Sequence, residues 1–246
     1  MKYDRIREIE NYIREKRSVS LNELLDRFDV SIQTLRRDLK ELYAKNVIDK
    51  VYGGVIYKDN QVIDVGVRET DNLDKKKIVG QLASSLVEDN DVIFVDSGTT
   101  ACQIIPFIKD KNVTVVSHSL LVLRELENRN DIKLIALGGQ YRREVKSFMF
   151  DANEVCYNFS KVFISTVGLT IQKGLTNNDY FEGEVKKKMI SNSRENYIVL
   201  DDSKFDKDAF ITFNNLEKIT GVITNSKPNK KYLDYFKKKG IKCFYK

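Results

Sequence analysis

Small and hydroxyl-bearing residues directly follow an apolar, β-branched run in the middle of the chain. Val92 to Val95 leads into Asp96-Ser97-Gly98-Thr99-Thr100, after which a helical pattern begins. Backbone N–H groups and the dipole at the start of a helix favour an anion such as a phosphate. The segment lacks the glycine patterns of P-loops and dinucleotide-binding turns, which argues against ATP and NAD. Taken alone, such a segment is more often an ordinary strand-to-helix turn.

Polar and charged residues also follow other apolar runs, at Ser117-His118-Ser119, at Gly138 to Arg143, at Gly174-Leu175-Thr176 and at Asp201 to Phe205. Cations suit a phosphate, whereas hydroxyls and carboxylates suit sugar hydroxyls, so the set favours a sugar phosphate. Each position also has an ordinary explanation as a turn or a surface charge. The candidate ligand-binding residues are Asp96, Ser97, Gly98, Thr99, Thr100, His118, Gly139, Arg142, Glu184, Lys186, Asp202 and Lys204.

His118 is the only histidine in the chain. Catalysis by His118 would require an orienting carboxylate and a nucleophile, which the sequence alone does not show. We therefore expect a polar pocket residue, no catalytic residues and no cofactor. The three cysteines are far apart and form no Cys-x-x-Cys pair, which argues against disulfides and a zinc site.

Strand and helix patterns alternate from Lys75 to the end of the chain. This alternation predicts a mostly parallel sheet covered on both faces, with ligands bound beyond the carboxyl ends of its strands. The predicted strands are Val92–Asp96, Val113–Ser117, Ile132–Leu137, Val162–Val167, Tyr197–Asp201, Gly221–Thr224 and Ile241–Tyr245, and the predicted helices are 75–88, 99–109, 119–129, 180–195 and 229–239.

Two short helices joined by a tight turn are predicted between Ser20 and Ala44. Ser20 and Glu23 have the spacing of a capping box before an apolar stripe, and Ser31 is placed to cap a second helix from about Ile32. At about 100° per residue, Ile32, Leu35, Leu39 and Leu42 share one face of that helix. Ile6, Ile9 and Ile13 predict a third helix that closes the core.

The opposite face of the second helix carries hydrogen-bond donors suited to bases and phosphates. Downstream, Val47 to Ile56 predicts a hairpin wing close to the DNA backbone. A solvated helix face is the alternative, but the surrounding helices and wing favour a DNA-reading module. The candidate DNA-binding residues are Ser31, Gln33, Thr34, Arg36, Arg37, Lys40, Lys50 and Tyr52.

Composition and charge restrict the class of protein to which the chain can belong. The 246 residues are 41% hydrophobic, which suffices for a core. No apolar run reaches the roughly 18 residues of a membrane span, and the start lacks a secretory pattern, so we expect a cytoplasmic protein. Residues 1–60 contain 13 Lys+Arg and 11 Asp+Glu, so the positions of the basic residues, rather than net charge, indicate DNA binding.

The run Arg36-Arg37-Asp38-Leu39, followed by Val51-Tyr52-Gly53-Gly54-Val55, resembles the winged helix-turn-helix of the DeoR family of bacterial transcriptional repressors. The resemblance extends over nearly the whole chain. It implies a winged helix-turn-helix at 1–58, a linker at 59–74, and an α/β sensing and oligomerisation domain at 75–246. That last domain is expected to be similar to ribose-5-phosphate isomerase and to sense a phosphorylated sugar.

Three segments depart from the family pattern. His118 stands where the family usually has Asn, and Phe150 lies near a position after Ser147 where Gly is common in the family. Ser165-Thr166-Val167-Gly168 replaces a Gly-Ala-Asp-Gly-like run. These departures bear on which sugar phosphate the sensing domain binds.

We therefore expect a repressor of a carbohydrate catabolic operon that is controlled by a phosphorylated sugar. Its expected partners are operator DNA, the sugar phosphate and further copies of the chain, as a homodimer or homotetramer, without a membrane. The alternatives are a sugar-phosphate isomerase with an accessory domain and a protein-interaction adaptor. The missing acidic residues in Ser165 to Gly168 argue against the isomerase.

Overall fold

The computed structural model describes residues 2–16, 18–44, 47–51, 54–57 and 65–246, and the chain divides into two compact units, 1–61 and 62–246. Within the range 59–74 expected to be a linker, residues 65–70 form a helix and a second helix begins at Leu73. A six-residue helix is too short to give a clear apolar period, so the sequence pattern missed it. Among the described residues, no helix is both long and apolar enough to span a bilayer.

The first unit consists of three helices and a small antiparallel sheet whose strand order is β1-β3-β2. Its elements are α1 (Lys2–Lys16), β1 (Ser18–Ser20), α2 (Leu21–Phe28), α3 (Ile32–Ala44), β2 (Ile48–Val51) and β3 (Gly54–Tyr57). The predicted second helix, wing and third helix are therefore confirmed.

Local capping explains the start of α2. Ser20 has an extended backbone, and its Oγ accepts from Glu23 N at 3.1 Å, as the capping pattern predicts. Leu24, Leu35 and Leu39 are buried in one core. Ile32 was expected in that core, but 38% of its surface is exposed because the first turn of α3 projects beyond the packed stripe.

The second unit has a seven-stranded sheet flanked by helices. Its elements are α4 (Val65–Thr70), α5 (Leu73–Ser84), β4 (Val92–Val95), α6 (Thr99–Cys102), β5 (Val113–Ser117), α7 (Leu120–Leu126), β6 (Ile132–Ala136), β7 (Gln140–Arg142), β8 (Ser147–Met149), β9 (Phe159–Ser165), β10 (Gly168–Thr170), β11 (Gly174–Asn177), α8 (Tyr180–Ser191), β12 (Ser193–Val199), β13 (Ile211–Asn214), β14 (Gly221–Ile223), α9 (Lys230–Lys239) and β15 (Lys242–Phe244).

All neighbouring strands of the large sheet are parallel, in the order β15-β14-β12-β9-β4-β5-β6. Side chains alternate between its faces, so Ile93 and Val95 join the core beside α5 and α7, whereas Phe94 joins the core beside α8 and α9. From β4 the chain proceeds outward through β5 and β6, and then returns to the other side of β4 at β9. The boundary between β4 and β9 is the switch point at which parallel sheets bind ligands.

Several details differ from the sequence predictions. The helix predicted at 99–109 is only Thr99–Cys102 followed by a short 3-10 turn, because Pro106 supplies no N–H to continue an α-helix. The antiparallel pairs β7–β8, β10–β11 and β11–β13 were not predicted. Their strands are only three or four residues long, too short for a period-two pattern to stand out.

An ion pair fastens α1 to α3 in the first unit. Asp38 is fully buried, its Oδ2 accepts from Arg5 Nε at 2.7 Å, and its Oδ1 has no hydrogen-bond partner among the described residues. Loss of the guanidinium would leave a buried carboxylate without compensation, which is costlier than removing both partners.

We expect Arg5→Met to destabilise the first unit and the double variant Arg5→Met/Asp38→Leu to recover much of that loss. Hydrogen exchange of the α3 amides in the full chain measures the effect. The control is Arg14→Met, which removes an exposed ion pair with Glu10 and an exposed hydrogen bond to Tyr57. Equal exchange in Arg5→Met and Arg14→Met would contradict the expectation.

Candidate ligand site and nucleic-acid interface

A cluster of buried polar side chains lies at the carboxyl edge of the parallel sheet, which we call the core cluster. Asp96 follows β4, His118 follows β5 and Ser165 ends β9. Glu182 and Lys186 lie four residues apart on α8, so they share one face of that helix and reach the same edge. The switch point between β4 and β9 therefore brings together charges that are distant in sequence.

Asp96 is the hub of the core cluster. Its Oδ2 accepts from Lys186 Nζ at 2.5 Å, from Ser165 N at 3.0 Å and from Ser165 Oγ. Asp96 is fully buried and Lys186 is 3% exposed. Asp96 Oδ1 has no hydrogen-bond partner among the described residues, which leaves one buried acceptor available to a ligand.

Glu182 joins the core cluster from α8. Its Oε2 accepts from Ser97 Oγ at 2.5 Å and its Oε1 from Ser147 Oγ at 2.8 Å. His118 Nε2 lies 3.5 Å from Glu182 Oε2, a close electrostatic contact without hydrogen-bond geometry. Burial alone would raise the pKa of Glu182. Three groups act in the opposite direction and hold this pKa well below its usual range: the positive charge that His118 can carry, the Lys186 ammonium and the Ser97 hydroxyl.

His118 is fully buried, and neither ring nitrogen has a hydrogen-bond partner among the described residues. Its ring stacks on Phe94 at 5.8 Å and meets the edge of Phe150 at 5.6 Å. These two rings pack against the imidazole, and Phe148 N donates to the backbone O of His118 at 2.9 Å. Both ring nitrogens therefore remain available for hydrogen bonds to a bound molecule.

The loop from Ser97 to Thr100 forms another wall of the site, with its hydroxyl-bearing residues buried. A Cβ on Gly98 would lie 1.8 Å from Ser165 Oγ, so only glycine permits this close approach. Cys102 follows in α6, and burial raises the pKa of its thiol to about 12, which keeps the thiol protonated and unreactive.

Arg142 and Gly139 lie in the hairpin segment next to the core cluster. Arg142 makes a two-pronged ion pair with Asp179, at 2.9 and 2.5 Å, and Asp179 caps α8. The turn requires glycine at 139, where φ is +158° and a Cβ would lie 1.9 Å from Met149 O.

Three other sequence candidates lie elsewhere. Asp202 pairs with Lys75 at 2.8 Å, and Lys204 lies in the same short turn after β12. Glu184 does not join the core cluster: it is exposed and lines a separate groove of about 340 Å³ with Lys187 and Lys188. Two residues along a helix rotate the side chain by about 200°, away from the face that Glu182 presents.

The sequence candidates missed Glu182, Ser147 and Ser165. The four-residue spacing of Glu182 and Lys186 was a usable signal, because it places both on one helical face. No sequence signal marks Ser147, which reaches Glu182 through the unpredicted β7–β8 hairpin.

Asp96, His118 and Glu182 place possible metal-ligand atoms within 4.8 Å of one another. The Lys186 ammonium already lies 2.5 Å from Asp96 Oδ2 and would repel a metal cation. The combination of hydroxyls, an ammonium and an imidazole suits an uncharged polyol portion of a ligand better than a metal ion.

In the other unit, α3 presents the candidate nucleic-acid interface. Ser31 caps α3, because its Oγ accepts from Thr34 N at 3.2 Å. Thr34 itself is half-buried. Tyr52 lies outside the described residues. The exposed candidates are Gln33, Arg36, Arg37 and Lys40 on α3 and Lys50 on β2.

Two family models match the chain. The model described as a DeoR-like helix-turn-helix domain matches residues 5–61, and the model described as the DeoR C terminal sensor domain matches residues 71–226. The two matched ranges correspond to the two compact units.

Curated relatives match along almost the whole length. The HTH-type transcriptional regulator IolR of Bacillus subtilis is 35% identical over 96% of both chains. A lactose phosphotransferase system repressor of Staphylococcus epidermidis is 30% identical over 92% of both chains. Among solved structures, ribose 5-phosphate isomerase A of Methanocaldococcus jannaschii aligns with a TM-score of 0.42 and 20% identity over 55% of both chains.

The lowered pKa of Glu182 predicts a specific pH dependence of stability. A carboxyl whose folded pKa lies below its unfolded value of about 4.3 stabilises the fold above that pH and loses this contribution as the pH falls. Glu182→Gln should therefore lower stability at pH 7 by about 2–4 kcal/mol and flatten the acid limb of the stability curve.

Urea unfolding at a series of pH values measures this change. Glu184→Gln is the matched control, because it makes the same change at an exposed position of the same helix. An acid limb of unchanged slope in Glu182→Gln would contradict the assignment of a buried, charged carboxylate.

Proposed function

Because this chain belongs to the DeoR family of transcription regulators, we propose that it represses a carbohydrate catabolic operon and that a phosphorylated sugar in the core cluster controls its affinity for operator DNA. The observation that carries the proposal is the set of unpaired buried atoms at the switch point, Asp96 Oδ1 and both ring nitrogens of His118. Buried polar atoms ordinarily have partners, and the hydroxyls of a sugar would supply them.

The phosphate is assigned to the loop from Ser97 to Thr100. The Thr99 and Thr100 hydroxyls and the backbone amides of the loop provide donors, and the Lys186 ammonium lies near the same wall through Asp96. The sugar then faces His118 and Glu182, so the residue at position 118 selects among sugars by the hydroxyl that it contacts. The partly buried Arg142 side chain lies beside α8 and pairs with Asp179. If a ligand oxygen replaced Asp179 as its partner, Arg142 would add a second cation to the site.

The chain is a regulator rather than an enzyme, as its relatives are named transcriptional regulators and repressors. The relative named a lactose phosphotransferase system repressor supports a carbohydrate operon as the target. We place the protein in the cytoplasm with its operator DNA.

The DNA-binding unit is proposed to read bases through α3. Gln33, Arg36 and Arg37 are exposed on the early turns of the helix, from which a recognition helix contacts base edges. Lys40 and Lys50 are assigned to phosphates. A single unit of this size contacts few base pairs, so at least two copies of the chain must act together on repeated half-sites.

The proposed reading face predicts that Arg37→Ala weakens operator binding by about 1–3 kcal/mol, since a bidentate contact to guanine is lost. Fluorescence anisotropy with the DNA upstream of the gene measures the change. Arg194→Ala, an exposed arginine in the other unit, is the control. Equal affinities for the two variants would remove Arg37 from the reading face.

The proposed effector site predicts that a sugar phosphate binds the full chain and that its parent sugar binds at least about tenfold more weakly. Thr99→Asp should abolish that preference by like-charge repulsion, whereas Thr99→Ser preserves the hydroxyl and should retain it. Calorimetry with a panel of sugar phosphates and parent sugars measures both. Equal affinity for phosphorylated and bare sugars in the wild type would show that the loop is only a turn.

A further inference from the structure

Two consecutive residues of the β7–β8 hairpin hold different partners. Ser147 Oγ donates to Glu182 Oε1 in the core cluster at 2.8 Å. Lys146 adopts a left-handed backbone conformation, with φ of +48°, and its Nζ contacts both carboxylate oxygens of Glu69 at 3.0 and 2.9 Å. One short segment therefore bridges the core cluster and helix α4.

Helix α4 is held by further contacts to the walls of the site. Val65 N donates to Glu144 O of the same hairpin at 3.4 Å, and α4 packs against α6, the helix that follows the Ser97 to Thr100 loop. Lys76 Nζ donates to Arg68 O and Asp71 O at the carboxyl end of α4. The helix thus touches both proposed walls, the hydroxyl loop through α6 and the hairpin through Glu69.

Helix α4 is the first described element that follows the DNA-binding unit in the chain. Only residues 58–64 separate α4 from Tyr57, the last residue of β3 in the DNA-binding unit. A six-residue helix has little stability of its own, so its order depends on the surfaces that hold it. A change in the core cluster that alters the hairpin or α6 would therefore act on helix α4.

We infer that α4 is the output element of the sensing unit, and that the Lys146–Glu69 ion pair couples it to the occupancy of the core cluster. This inference rests on the proposed function, since it assigns the regulation of the same site. Ligand hydroxyls bound to Glu182 compete with the Ser147 hydroxyl, and the β7–β8 hairpin shifts as a result. This shift weakens or strengthens the ion pair between Lys146 and Glu69 of α4. Both α4 and the hairpin are then two-state elements biased by the ligand.

A double-mutant cycle on the full chain tests the coupling without any effector. The perturbation in the site is Ser147→Ala, which removes the contact to Glu182, and the perturbation at the output is Glu69→Gln. Hydrogen exchange by mass spectrometry is followed in residues 65–70 and 140–149. Glu125→Gln, an exposed glutamate on α7, is the control for Glu69→Gln because it makes the same change of charge.

Ser147→Ala should accelerate exchange at 65–70 and 140–149 by about threefold or more. In the Glu69→Gln background the same substitution should still affect 140–149, but its effect on 65–70 should be much smaller, because only the bond from Val65 N to Glu144 O still joins the hairpin to α4. The charge-reversed pair Glu69→Lys/Lys146→Glu should restore the effect on 65–70. Exchange in β9 should remain slow throughout, which verifies that the variants are folded.

Acceleration confined to 140–149 in the wild-type background would overturn the inference, as would an equal effect on 65–70 in the Glu69→Gln background. The cycle also separates this inference from the proposed function. A positive cycle combined with failed sugar-phosphate titrations would retain the coupling and reject the ligand. A negative cycle combined with successful titrations would reject α4 as the output and retain the ligand.

Discussion

The contact between Asp96 and Lys186 is the constraint on which the site depends. It joins the end of β4 to a face of α8 in a fully buried environment, where neither charge is tolerable without the other. Ser165 at the end of β9 completes the same junction. Because β4 and β9 are the neighbours at which the chain changes direction across the sheet, the contacts of Asp96 with Ser165 and Lys186 join both strands and α8 at the switch point.

The remaining polar groups of the core cluster follow from this junction. With Lys186 held toward Asp96, the preceding turn of α8 places Glu182 against Ser97 and Ser147. The fold thereby creates a polar interior in which only some of the buried polar atoms have hydrogen-bond partners. The Glu182 oxygens accept hydrogen bonds, whereas Asp96 Oδ1 and the His118 ring nitrogens have no hydrogen-bond partner among the described residues.

Much of the fold and part of the site could be predicted from the sequence. Capping by Ser20 and the apolar stripe through Leu35 and Leu39 are local signals, so the helix-turn-helix was predicted closely. The buried strands were recognisable as β-branched runs. Short antiparallel strands, helix α4 and the Ser147–Glu182 contact arise from tertiary packing, which leaves no periodic trace in the sequence.

The central claim is that sugar-phosphate binding and DNA binding are coupled through one protein. Thermodynamic reciprocity requires that operator DNA change the affinity for the sugar phosphate by the same factor that the sugar phosphate changes the affinity for DNA. The most direct measurement is calorimetric titration of the full chain with a sugar phosphate, with and without saturating operator duplex. We predict a shift in the dissociation constant that equals the shift measured for DNA. Identical sugar-phosphate affinities with and without operator would contradict the account.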